Sequence, residues 1–187
     1  MKPYAILLRG INVGGKNKIP MAELRDCLEK LGFSHVSTYI ASGNVILMSD
    51  KSASEIKNQI EKTLIKDFKL DSDLIKVLVL NHSQLQAVIN SRPKGFGDQP
   101  DMYHSDAIFL IDINAADAMH VFAPKEGVDK VWAGDGVIYS QRLSSLRTKS
   151  RLSKIVGTPA YKSMTIRNWN TTVTLLRLIE EASSKDA

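Results

Sequence analysis

Covalent cross-links and soft-metal sites have little to work with in this 187-residue chain, which contains one cysteine, Cys27. That count excludes an internal disulfide and any multi-cysteine metal site, and such usage fits a reducing compartment. The four histidines, His35, His82, His104 and His120, are scattered, with no H-x-x-x-H and no C-x-x-C spacing. No apolar run approaches the roughly 20 residues that cross a bilayer, so no membrane partner is expected. The N-terminal run Tyr4 to Leu8 is too short for a signal peptide and meets Arg9 at once. A cytoplasmic location is the simple expectation. The chain also lacks the P-loop G-x-x-x-x-G-K-[ST], the dinucleotide fingerprint G-x-G-x-x-G and the nucleophile elbow G-x-S-x-G. Neither a cofactor nor a bound metal is expected. Asp101, His104 and Asp106 form a loose D-x-x-H-x-D cluster, and solvated residues at a strand start look the same.

Acidic residues are missing from two long stretches. The net charge of +5 is modest, but residues 1–22 hold Lys2, Arg9, Lys16 and Lys18 and no acid. Residues 136–179 hold Arg142, Arg147, Lys149, Arg151, Lys154, Lys162, Arg167 and Arg177, again with no acid. Together they carry 12 of the 25 basic residues and none of the 20 acidic ones. Segregation of this kind implies a basic face set against an acidic one.

What is present reads as alternating strands and helices. Tyr4 to Arg9 is a buried strand, and Pro20 suits the first position of a helix carrying Met21, Leu24, Leu28 and Leu31, stopped by Gly32. Val36 to Ile40 and Val45 to Met48 pair around Ser42-Gly43-Asn44. Ser52 or Ser54 caps a helix with Ile56, Ile60, Leu64 and Phe68, and Leu74 to Leu80 is a further strand. The order β-α-β-β-α-β is that of a ferredoxin-like unit. The second half repeats it incompletely. After a short helix near Ser83 to Asn90 come a strand, Ala107 to Ile113, and a helix that ends before Pro124. A hairpin around Gly134-Asp135-Gly136 and a short helix over Ser150 to Val156 follow. The last helix is expected from Thr165, with Ser183 to Ala187 as a loose tail. The expectation is an α+β fold of two ferredoxin-like subdomains, 1–82 (βαββαβ) and 83–187 (a similar βαββα unit), packed as one compact chain.

Four blocks resemble one family: R-G-I-N-V-G-G-K-N-K-I-P-M-A-E-L, T-Y-I-A-S-G-N-V-I-L, S-R-L-S-K-I-V-G-T-P and M-T-I-R-N-W-N-T. They are similar to the bacterial domain-of-unknown-function family 1697, over residues 4–180. The resemblance implies two ferredoxin-like α+β subdomains and carries over neither an activity nor site residues.

Candidate binding residues come instead from charge and spacing. In the Arg9 to Pro20 loop, Gly14 and Gly15 allow backbone N–H groups to approach a ligand, and Arg9, Asn12, Lys16 and Lys18 surround them. Glycines for a tight connection and lysines for solubility would give the same string. From Arg142 to Lys154, Arg147, Arg151 and Lys154 alternate with serines and threonines, a mixture of donors suited to phosphate oxygens. Thr165 as helix N-cap would put Arg167 and Asn168 in a first turn, where a cation opposes the helix dipole and a bound anion would relieve it. The aromatics Tyr4, Trp132, Tyr139, Tyr161 and Trp169 do not form the K/R-G-F/Y-G/A-F-V-x-F/Y signature of RNA-recognition sheets, so a sequence-specific RNA reader is not expected.

Three readings follow. The first is a binding module for phosphate-bearing ligands, foremost nucleic acid. The second is an enzyme acting on a small phosphorylated or otherwise anionic substrate, its general base unassigned. The third is an interaction protein whose basic face meets an acidic partner. No residue pattern specifies an oligomeric state.

Overall fold

The computed structural model describes residues 1–71 and 75–185. The chain divides into two units, Met1–Gln86 with Thr174–Ala187, and Ala87–Val173. The residues from Thr174 onward, placed by sequence in a second subdomain 83–187, thus group with the first unit.

In the first unit, β1 (Lys2–Arg9) leads through a loop to α1 (Met21–Lys30), and β2 (Ser34–Tyr39) and β3 (Asn44–Ser49) form a hairpin. α2 (Ala53–Asp67) then precedes β4 (Lys76–Asn81). The sheet is antiparallel, in the order β2-β3-β1-β4. Period-2 alternation on β1 sends Tyr4, Ile6 and Leu8 to the face where α1 and α2 bury Leu24, Leu28, Ile56, Ile60 and Leu64. Ser52 caps α2: its hydroxyl accepts from the Glu55 N–H, and the Glu55 carboxylate accepts from the Ser52 N–H at 2.8 Å. Pro20 stands at the N-cap of α1 rather than inside it, because its ψ of 129° is extended. Leu74, expected to open the fourth strand, lies outside the described residues, as do residues 186–187.

In the second unit α3 (His82–Asn90), which the chain shares with the first, is followed by β5 (Tyr103–Leu110) and α4 (Ala115–Met119). β6 (Asp129–Ala133) and β7 (Val137–Leu143) come next, then three 3₁₀ turns, Ser144–Lys149, Leu152–Gly157 and Pro159–Ser163. β8 (Met164–Asn168) and α5 (Trp169–Lys185) end the described chain. Here too the sheet is antiparallel, in the order β6-β7-β5-β8, the arrangement of the first unit. One face packs Ile108, Leu110, Ile138 and Met164 against Ala118 of α4 and Ile155 of the second 3₁₀ turn. Phe96, Trp132, Tyr139 and Trp169 meet edge to face, with ring centroids 5.1–6.3 Å apart. The Tyr139 hydroxyl donates to the Val88 carbonyl, and burial pushes its pKa up to about 12.

The α+β class with two ferredoxin-like units stands. The helix expected from Thr165 does not begin there. Residues 164–168 form a fourth strand paired with β5, and the helix starts at Trp169. Thr165 and Ile166 are β-branched and favour a pleated strand, while Asn168 accepts the Asn170 N–H at 3.0 Å and so supplies the cap. The helix continues through Ser183 and Ser184, expected as a loose tail.

Gly97 has φ +79°, and a Cβ there would lie 2.2 Å from Trp169 Cδ1, whereas Gly15 has φ +77° and open space. Gly97→Ala should therefore cost about 2–4 kcal/mol and Gly15→Ala about 1 kcal/mol in urea denaturation, since only the first adds overpacking to backbone strain.

Candidate functional site

The loop between β1 and α1 is held in shape by its own asparagines. Asn12 Nδ2 donates to the carbonyls of Ile19 and Ala41, both at 3.0 Å, and Asn12 Oδ1 accepts the Ile19 N–H at 2.8 Å. Its amide thus serves the loop rather than an outside ligand. Asn17, buried at 3% exposure, donates from Nδ2 to the Gly10 carbonyl at 2.7 Å and exchanges two bonds with Asp71, of 2.6 and 2.7 Å. Both asparagines take positive φ, 53° and 47°, which this residue type tolerates. Ile11 and Ile19 are buried beneath, and residues 13–16 form an exposed tip closed by the Lys16 N–H on the Val13 carbonyl. Gly14 and Gly15 occupy that tip, Lys16 and Lys18 are exposed beside it, and Arg9 is half-buried at the strand end. Gly10 to Asn17 spells G-x-x-x-x-G-K with asparagine in place of the P-loop serine or threonine. The helix of a P-loop follows its lysine directly. Here it starts at Met21, and the asparagine amide is spent on Gly10 and Asp71.

The second acid-free stretch is pinned by one buried carboxylate. Asp129, 6% exposed, heads β6, and its Oδ2 accepts the backbone N–H groups of Lys125 at 3.0 Å and Arg151 at 2.8 Å. Burial works to raise this carboxyl, but bonds from Arg151, the Ser150 hydroxyl and Lys125, with the Arg142 charge, bring it below the ordinary range. Asp129 faces Arg142 in register across β6 and β7. Among the described residues Asp129 Oδ1 and Arg142 Nε are buried without a hydrogen-bond partner. Leu152 and Ile155 root the following turn in the core. On this backbone Arg147, Lys149, Arg151 and Lys154 are all exposed, with the exposed hydroxyls of Ser144, Ser145, Thr148 and Ser153 among them. Among the described residues none of these four cations has an ion-pair partner.

Arg167 does not join them. It lies on β8 opposite Ala107, 6% exposed, with Nη1 donating to Thr165 Oγ1 and to the Ile166 carbonyl, each at 2.9 Å. Burial pulls its pKa down to about 10. The expected pairing of Arg167 with a helix N-terminus is replaced by strand geometry. Asn168 faces Asp106 in register and lines a cavity of about 90 Å³ with Tyr103, His104 and Asn170.

Two residues of the D-x-x-H-x-D cluster meet: His104 Nε2 lies 3.0 Å from Asp106 Oδ2, because residues two apart on a strand share a face. Among the described residues no group of three or more His, Cys, Asp or Glu could hold a metal ion. Cys27 sits 3.8 Å from Asp67, and burial followed by that carboxylate raises its thiol, a setting that disfavours a reactive thiolate. No helix among the described residues is long and apolar enough to cross a membrane.

The family model described as a protein of unknown function, DUF1697, matches residues 1–139. The chain belongs to this family. The two C-terminal blocks that carried the resemblance lie beyond the matched span, and both fall on the 3₁₀ turns, β8 and the start of α5. The DUF1697 chain is also similar to a solved structure, that of a conserved bacterial protein from Streptococcus pneumoniae. The two share 27% identity with a TM-score of 0.78, over 95% of this chain and 98% of the other. No curated protein matches.

Two variants check the internal assignments. The Asp129 carboxyl is lowered in the folded state, so its contribution is fully present above its ordinary value of 3.8 and lost as pH falls through the folded value. Asp129→Ala should cost about 2–4 kcal/mol at neutral pH by orphaning two N–H groups. The difference from wild type in urea midpoint should shrink below about pH 4. Arg167→Glu should destabilise by roughly 3 kcal/mol or more, with Arg167→Met milder, because only the first puts an uncompensated carboxylate on a buried sheet face.

Proposed function

We propose that this chain is a binding module for phosphate-bearing polymers, nucleic acid foremost, and that Arg147, Lys149, Arg151 and Lys154 contact the phosphate backbone. The carrying observation is four exposed cations, without acidic partners among the described residues, on a backbone fixed by a buried carboxylate. A surface meant only for solubility interleaves both signs of charge. Hydroxyl and backbone donors beside Arg and Lys are what phosphate oxygens accept from, and such contacts position a strand without reading its bases. Lys16 and Lys18, exposed on the first unit, extend the same chemistry.

Openness favours a polymer over a small anion. The cavity lined by Glu23, Asp26 and Asp67 and the one lined by Asp112, Asp117 and Asp135 are acidic. The 90 Å³ cavity beside His104 and Asn168 does not include the four cations in its lining. A small phosphorylated substrate would need those cations to converge on an enclosed space.

Contact with about four phosphates gives a log–log slope of affinity on salt of about −3 to −4, since each neutralised phosphate releases counterions. Fluorescence polarisation of a labelled strand across a salt series measures it. Arg147→Ala and Lys154→Ala should each reduce the slope by about one and weaken all sequences alike. A flat salt response, or no retention of single or double strands at low salt, would overturn the proposal.

A further inference from the structure

We infer that His104, beside Asp106, is the general base of an RNA-cleaving centre on the second unit, acting on a strand bound by the adjoining basic tract. The inference rests on the phosphate-backbone reading above and adds a reaction to it.

β5 sets His104 and Asp106 on one face of the sheet, with Nε2 3.0 Å from Oδ2. A carboxylate that accepts from one ring nitrogen fixes the tautomer and leaves the other as the basic one, so alignment of this contact on a bound strand would make Nδ1 the base. Among the described residues Nδ1 has no hydrogen-bond partner, and the side chain is 39% exposed. A partly exposed imidazole with a carboxylate at one nitrogen is placed to take a proton from a substrate.

The neighbouring positions suit a phosphodiester. Arg142 is opposite His104 in register and Asn168 is opposite Asp106, so all four side chains share one sheet face, with Cβ atoms of paired residues about 5 Å apart. Arg142 donates no hydrogen bond among the described residues, and its Nε is buried without a partner. Across the sheet the row runs Asp129, Arg142, His104, which puts the Arg142 position next to that of the imidazole. A cation at that point stabilises charge developing on phosphoryl oxygens. The cavity next to His104 and Asn168, about 90 Å³, has room for about three waters or one phosphate group. β7 runs directly from Arg142 into the basic tract, and the Ser144 N–H donates to the Met102 carbonyl at 2.9 Å, tying the start of the tract to the start of β5. A strand lying on the tract is thereby brought past the dyad.

Among the described residues no hydroxyl or thiol is hydrogen-bonded to the His104 ring, and the nucleophile in this scheme comes from the substrate. RNA carries one, its 2′-hydroxyl. O2′ attacks the adjacent phosphorus with its lone pair and passes its proton to His104 Nδ1. The P–O5′ bond breaks, and O5′ leaves with the bonding pair and takes a proton from water. The imidazolium returns its proton to the solvent. The products are a 2′,3′-cyclic phosphate and a 5′-hydroxyl, with no oxidant, reductant or further co-reactant.

The test incubates the full chain, in EDTA, with a labelled single-stranded RNA and with the all-2′-deoxy strand of the same sequence. Retention is measured in parallel. The expected result is cleavage of the RNA alone, with cyclic phosphate ends seen by mass spectrometry. His104→Asn and His104→Gln should each lower kcat by about 100-fold or more. Asp106→Asn should lower kcat at unchanged KM, as a positioning residue would, while Arg147→Ala should raise KM. RNA that is retained but uncut would overturn the inference and leave the binding reading intact. So would cleavage of the deoxy strand, or His104 variants as active as wild type. RNA neither retained nor cut would overturn both.

Discussion

Antiparallel pairing of Met164–Asn168 with β5 is the constraint on which the second unit depends. It completes the four-stranded order that the first unit also has, and it decides the direction of every side chain on the strand. Arg167 is turned to the face that carries Ala107 and Tyr139, where it is buried, and Asn168 to the face that carries Asp106 and His104. The strand also sets where α5 starts, since Asn168 ends one element and caps the next. A helix over the same residues would have placed Arg167 in an exposed first turn.

Irregular backbone in both units is stabilised by the same device, a short polar side chain that accepts or donates to several main-chain groups. Asn12 and Asn17 do this for the loop after β1, and Asp129 does it for the 3₁₀ turns after β7. Backbone groups outside helices and sheets need such partners, and a few side chains able to bond twice suffice. The consequence for binding is that cations on these segments sit on ordered backbone. Ordering them on a ligand then costs less entropy than it would on a free loop.

The charge of the exposed tract and the covered carboxylate beneath it are two halves of one arrangement. Asp129 offsets positive charge from a buried position, while among the described residues the outer cations have no ion-pair partner. Its bonds to the Lys125 and Arg151 N–H groups keep it ionised in a place where burial alone would favour protonation. In register the same carboxylate stands opposite Arg142, which stands opposite His104, and the Arg142 charge helps keep Asp129 ionised.

Local chemistry was enough for much of this. Alternation on β1, helical spacing of Leu24 and Leu28, the Ser52 cap with Glu55 and the Gly134 to Gly136 turn each depend on neighbours a few residues away. Element order and the ferredoxin-like class were legible for that reason, as were the acid-free stretches. Thr165 was ambiguous, because a threonine before a polar turn serves a helix cap or a strand equally well. The choice was made by β5, some 60 residues earlier, whose edge offers backbone groups that a strand over 164–168 pairs with. Registry across strands likewise brought Asp129 to Arg142, Arg142 to His104 and Asn168 to Asp106. None of those pairs is close in sequence. Sequence by itself determined which segments are strands or helices wherever the deciding contacts are local, and it determined where charge is concentrated. Tertiary structure alone decided which of those charges are exposed and which polar groups meet, because both depend on sheet registry between distant segments.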